Sequence, residues 1–176
     1  MIEDFGHRLT IDRIREADRI ELAASEDERK AIAARLDLAQ LSRLEAHVTL
    51  GRDGDTVRAI GRIMAAAKQR CVVTGDPVPA HVDEAFEVLF RPEPKIGDPE
   101  EEIELQAEDC DIVFYEGGAI DLGTAIADTL ALALNPYPRS AAAEIALKEA
   151  GVLSEEEAGP FAALAQLKKR MSGDES

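Results

Sequence analysis

Leu44-Glu45-Ala46-His47-Val48-Thr49-Leu50, running into Gly51-Arg52-Asp53-Gly54-Asp55, decides the reading of the fold. Leu44, Ala46, Val48 and Leu50 alternate with Glu45, His47 and Thr49. An extended chain turns successive side chains to opposite faces, so a period of two describes a half-buried strand. The glycine- and aspartate-rich run supplies a turn, and a second strand follows from about Thr56 to Ala66. The pair reads as a hairpin with a loop longer than two residues. Val78, Ala80, Val82, Phe86, Val88 and Phe90 alternate with Pro79, His81, Asp83, Ala85 and Glu87, a third strand broken in pattern only by Glu84. Asp111-Ile112-Val113-Phe114-Tyr115 is a short apolar strand that ends at Glu116-Gly117-Gly118.

Helices are written around these strands by their caps. Ser25 with Glu28 three residues on makes a capping box, and Ala31, Ile32, Arg35 and Leu36 follow at helical spacing, which predicts a helix from about Glu26 to Leu36. Asp121 caps a second helix whose core face includes Ile126, Leu130 and Leu134, and Asn135-Pro136-Tyr137-Pro138 stops it. Ser140 is placed to cap a short segment through Lys148. After Gly151, Ser154 and Glu157 form another capping box, ahead of Phe161, Leu164, Ala165 and Lys168 on a closing helix. Lys168, Lys169 and Arg170 suit the negative end of that helix's dipole. Strands come first and helices later, without regular alternation. This predicts an α+β fold, a mainly antiparallel sheet with flanking helices and C-terminal helices. A single domain over residues 1–176 is expected, with a mobile acidic loop at about 92–109 and a helical part at about 120–171.

The 176 residues are 45% hydrophobic, enough for one domain with a sizeable core and no disulfide staples. Cys71 and Cys110 are too few for a disulfide framework and read as reduced thiols. No apolar run is long enough to cross a bilayer, and the amino terminus lacks a basic-then-apolar signal pattern, so a cytoplasmic protein without membrane contact is expected. Net charge is −16, and its placement is uneven. Residues 1–88 carry −4 and residues 89–176 carry −12, while residues 93–128 hold twelve acidic side chains against Lys95 alone. A broad nucleic-acid footprint needs clustered cations, which this surplus opposes. Glu100, Glu101, Glu102, Glu104, Glu108 and Asp109 are the candidate lure for a basic protein partner. Arg52, Arg58, Arg62, Lys68 and Arg70 give residues 52–70 a local charge of +3, with Arg58, Arg62, Lys68 and Arg70 the candidate contacts to RNA.

Signatures of catalysis are missing. The chain has no Walker-type phosphate loop, no GxGxxG, no HExxH and no GxSxG. Gly117-Gly118 reads as a turn, and His47 and His81 fall on the polar phases of their strands, where exposure explains them. Asp109 and Asp111 would raise the pKa of Cys110. Carboxylates abound in the acidic loop, but general acid–base work needs a fixed, partly desolvated pair. The expectation is a protein that is not an enzyme and takes no metal or cofactor.

Three segments, taken together, resemble the YceD family, the large ribosomal RNA subunit accumulation proteins, catalogued as a bacterial domain of unknown function. They are Arg70-Cys71-Val72-Val73-Thr74-Gly75-Asp76-Pro77-Val78, then Asp121-Leu122-Gly123 through Leu134-Asn135-Pro136-Tyr137-Pro138, then Gly159-Pro160-Phe161 through Leu164 and Leu167-Lys168. They cover about residues 40–170, and the acidic insert between the first two also looks like the family. The resemblance implies a role in synthesis, processing or accumulation of large-subunit ribosomal RNA. It also implies a partner: a basic large-subunit ribosomal protein or a pre-ribosomal particle, with direct contact to precursor rRNA as the alternative. Many members carry Cys-x-x-Cys at the first segment, which suggests metal binding. Here Cys71 stands at the first cysteine and Thr74 at the second, and one thiolate beside a neutral hydroxyl is not half of a tetrahedral zinc site.

Overall fold

Alternation in the first hairpin runs further than its clearest signature. A computed structural model describes residues 5–93 and 111–152. Its elements are β1 (Arg8–Thr10), a 3₁₀ turn at Ile11–Arg13, β2 (Asp18–Ala23), α1 (Glu26–Arg35), β3 (Gln40–Asp53), β4 (Thr56–Arg70), β5 (Pro77–Pro92), β6 (Asp111–Tyr115), β7 (Ala119–Asp121), α2 (Leu122–Ala133) and α3 (Ala143–Glu149). Five strands form one sheet in the order β2-β3-β4-β5-β6, and β1 pairs with β7 in a second. The β2–β3 and β3–β4 pairs are antiparallel, whereas β5–β6 is parallel. This is the expected α+β arrangement, with one parallel pair at the edge of the sheet.

The hairpin corrects one expectation. Asp53 pairs with Thr56, so the loop is two residues, Gly54-Asp55, and Gly51-Arg52-Asp53 continue the strand. Gly54 has φ +60, the left-handed conformation that a two-residue hairpin turn with glycine first requires. β4 also passes Ala66 to reach Arg70, because Ala67 and Gln69 keep the inward phase. Gln69 is buried, and its amide nitrogen donates to the Asn135 carbonyl at 2.7 Å. In β3, a register shift between Leu41 and Arg43 lets Leu41 and Leu44 both face the core although they are three residues apart.

Gly61 lies on the inward phase of β4. A Cβ there would stand 2.4 Å from the His47 carbonyl oxygen and 2.9 Å from the Phe86 ring. The ring fills the space that a side chain on β4 would otherwise occupy. Helix α2 supplies Leu122, Ile126 and Leu130 to the core, all fully buried, and each such side chain contributes roughly 1.5–3 kcal/mol. Helix α1 buries only Ile32. Its amino end depends on the Ser25–Glu28 capping box, present with both reciprocal bonds, a device of about 1 kcal/mol.

Residue contacts divide the chain into two units. Met1–Gln69 with Pro79–Pro136 contains the sheet, α1, α2 and the hydrophobic core. Arg70–Val78 with Tyr137–Ser176 contains the turn between β4 and β5 together with α3.

Replacing Gly61 with alanine is expected to cost about 1–3 kcal/mol, as overpacking does. Phe86→Leu in the same chain should return only the part of that loss that the ring imposes, because the 2.4 Å approach to the His47 carbonyl remains. Urea unfolding of the two single variants and the double variant reads the coupling, and strictly additive costs would show that the ring does not fill the glycine's place.

Candidate functional site

The basic strand surface is built on the outward phase of β4, where Arg58, Arg62, Lys68 and Arg70 are exposed. Facing them across the strand pair, β5 presents Glu87 and Asp83. Arg58 forms an ion pair with Glu87, and Arg62 Nε donates to Asp83 Oδ1 at 2.5 Å. The Arg62 guanidinium holds the Asp83 carboxyl below its usual range. The two central cations of the patch are therefore matched by carboxylates. His47 and His81 are exposed, as their strand phases require, and Glu21 Oε1 lies 3.4 Å from His47 Nδ1.

Cys71 organises a second cluster, within the smaller unit. Its amide donates to the Asp76 carbonyl at 2.8 Å and its carbonyl accepts from Gly75 at 2.9 Å, closing a knuckle in which Gly75 takes φ +77. The amides of Thr74 and Ser140 point at Cys71 Sγ from 3.4 and 3.3 Å. Val72 donates to the carbonyl of buried Pro138 at 2.9 Å. Beside the sulfur, the Thr74 hydroxyl donates to Asp76 Oδ2 at 2.6 Å, and the Ser140 hydroxyl lies 3.1 Å from Thr74 Oγ1 and 3.3 Å from the same carboxylate oxygen. Ser140 was the expected cap of the following helix. Instead α3 begins at Ala143 after Ala142, with no side-chain cap, because the Ser140 hydroxyl is engaged in the knuckle.

Burial, at 4% exposure, pushes the Cys71 thiol up. Hydrogen bonds from Thr74 and Ser140 outweigh it and lower the pKa from 9.0 to about 6. The two backbone N–H groups aimed at the sulfur favour its thiolate form. No imidazole stands in this cluster to move a proton. The donor set (one thiolate, two hydroxyls, one carboxylate) does not fit structural zinc, which takes cysteine and histidine ligands. Among the described residues, no group of three His, Cys, Asp or Glu side chains is placed to hold a metal.

A third feature belongs to the larger unit. β6 is one of the sheet's two outer strands among the described residues, and a cleft of about 350 Å³ opens beside it. Phe90 and Ala125, both buried, contribute to its apolar lining, as do the exposed Val113 and Phe114. Glu116, Asp121 and Asp128 bring acid to its lining against Arg8. Asp121 accepts from the Thr124 amide at 3.1 Å as the cap of α2, and Asp128 pairs with Arg35 at 3.3 Å. Glu116 touches the Glu93 carboxyl, whose pKa is raised by that hydrogen bond and by the like charge.

The family profile described as large ribosomal RNA subunit accumulation protein YceD matches residues 60–168. The chain belongs to the YceD family. No curated protein and no solved structure matches it. The match begins within β4, later than the expected start near residue 40, so β2, α1 and β3 lie before it. Of the positions on which the resemblance to YceD rests, Cys71, Thr74 and Gly75 build the knuckle and Pro77 opens β5. Asp121 caps α2, Leu122 is fully buried, Pro136 follows the helix and Pro138 is buried. Phe161, Leu164 and Leu167 lie outside the described residues, as do Glu100, Glu101, Glu102, Glu104, Glu108 and Asp109. Sequence reasoning missed Asp76 and Ser140 as partners in the knuckle. Asp76 was legible in Thr74-Gly75-Asp76, an arrangement that suits a side chain-to-backbone turn; nothing local marks Ser140.

Thiolate absorbance is expected to titrate near pH 6, and the difference between wild type and Cys71→Ser isolates it from Cys110. Because the folded pKa is depressed, Cys71 adds stability that grows as pH rises from about 6 to 9.0 and is lost as pH falls through about 6. Cys71→Ser should remove that slope from the pH dependence of the unfolding free energy. Chelators should leave the melting temperature unchanged; a fall of several degrees would point to a metal staple instead.

Proposed function

We propose that this YceD-family protein is a non-enzymatic factor that supports accumulation of large-subunit ribosomal RNA by binding a basic ribosomal protein or an assembly intermediate that contains one. Family membership supports the connection to ribosomal RNA. The observation that favours protein over RNA as the direct partner is the pairing of Arg58 with Glu87 and of Arg62 with Asp83. Phosphate binding at that surface would have to compete with carboxylates already in place. The net charge of −16 adds a repulsive field for nucleic acid and an attractive one for a cationic protein. In this reading the acidic run from residue 93 to 111 captures the partner and keeps its cationic surface from RNA until delivery.

Capture from cell extract, with and without RNase, tests this. A basic large-subunit protein should remain bound after RNase. Reversing Glu100, Glu101, Glu102 and Glu104 to lysine should weaken its affinity about tenfold or more at low salt. Retention of precursor RNA alone, emptied by RNase and abolished by Arg58→Glu with Arg62→Glu, would transfer the site to β4.

A further inference from the structure

We propose that the outer edge of β6 and the cleft beside it take up an extended, lysine- or arginine-bearing segment of another protein, which adds to the sheet as a sixth strand. This rests on the protein-binding reading above and gives it a second contact, distinct from the acidic run.

Three observations carry it. β6 is one of the two outer strands of the sheet among the described residues, and an outer strand presents backbone donors and acceptors along its far side. Val113 and Phe114 are 37% and 47% exposed and line a cleft that buried Phe90 and Ala125 also line, an apolar surface for alternate side chains of an added strand. At about 350 Å³ the space lies at the small end of ligand pockets, roughly 300–1,000 Å³. The third observation is the charge at the mouth. Asp121 and Asp128 are engaged as a helix cap and an ion pair, which leaves Glu116 with acceptor capacity against Arg8, the one cation among the described residues that line the cleft. Glu116 is in contact with Glu93, an arrangement in which two carboxylates repel unless a proton or a cation joins them. A lysine or arginine side chain of the added strand supplies that cation.

Charge also separates this occupant from the others. Residues 94–110 hold seven acidic side chains against Lys95, so that segment would bring like charge to the mouth. A second copy pairing edge to edge would set two acidic mouths together, and a phosphate backbone meets the same repulsion. A cationic extended peptide meets none.

The test uses the full chain and a fluorescent synthetic peptide that alternates lysine with valine, read by anisotropy. Binding should weaken as salt rises, fall about tenfold or more in Glu116→Lys, and vanish when alternate peptide amides are N-methylated, which removes strand pairing without altering the protein. A glutamate–valine peptide should not bind. Equal binding of the methylated peptide, or unchanged affinity in Glu116→Lys, overturns the proposal. So does sedimentation showing a dimer that the peptide cannot dissociate. The two readings fail separately. If Glu116→Lys still captures a basic ribosomal protein at wild-type affinity after RNase, the function stands and the cleft falls. If the peptide binds the cleft but no such protein is captured, the cleft stands and the function falls.

Discussion

Everything in the larger unit hangs on one constraint: each long strand must keep its apolar residues on a single face. Leu44, Ala46, Val48 and Leu50 of β3 meet Val57, Ala59, Ile63, Ala65 and Ala67 of β4 on the covered side. A shift of one residue would turn every one of them to water. The two-residue turn at Gly54-Asp55 fixes that register at one end. The bulge near Leu41 corrects the phase at the other, where the chain arrives from α1. With the phase secured, α2 has a surface to cover, and its Leu122, Ile126 and Leu130 complete the core.

The opposite face of the same strands carries the charge. Pairing Arg58 and Arg62 with carboxylates of β5 adds little stability, since exposed ion pairs seldom do. Its effect is on the field. Two of the cations that could have made a phosphate-binding stripe, Arg58 and Arg62, are matched where they stand. Acid stands instead along one outer strand of the sheet: Glu93 and Glu116 follow the paired ends of β5 and β6, and Asp111 opens β6. The local imbalance thus sits beside backbone groups and apolar surface, where charge can orient a partner and burial can hold it.

Strand phases were plain in the sequence because they are local. The alternation at 44–50 and 78–90, the apolar run 111–115, the Ser25 box and the Asp121 cap all depend on neighbours within a few residues, and all appear where expected. Strands β1, β2 and β7 left weaker marks: two are three residues long, and β1 and β7 acquire meaning only from each other. The parallel placement of β6 was hidden for the same reason, since its partner lies before a long connection. At the knuckle, Cys71 and Thr74 were visible as a motif, but Ser140 stands 69 residues from Cys71 and only the folded chain brings its amide to the sulfur. The two arginines were legible as a patch; the carboxylates that match them were legible only as exposed residues of another strand.

The pairing of β1 with β7 joins Thr10 to Ala119 and Arg8 to Asp121, more than a hundred residues apart. At a synthesis rate of roughly 5–20 residues per second, about 5–20 seconds separate the emergence of the first strand from that of its partner. During that interval the five-stranded sheet can assemble up to β5 while the amino-terminal residues wait. Whatever else has formed by then, β1 cannot find its hydrogen-bonding partner until β7 has been made, so its backbone donors and acceptors must be met by water in the meantime.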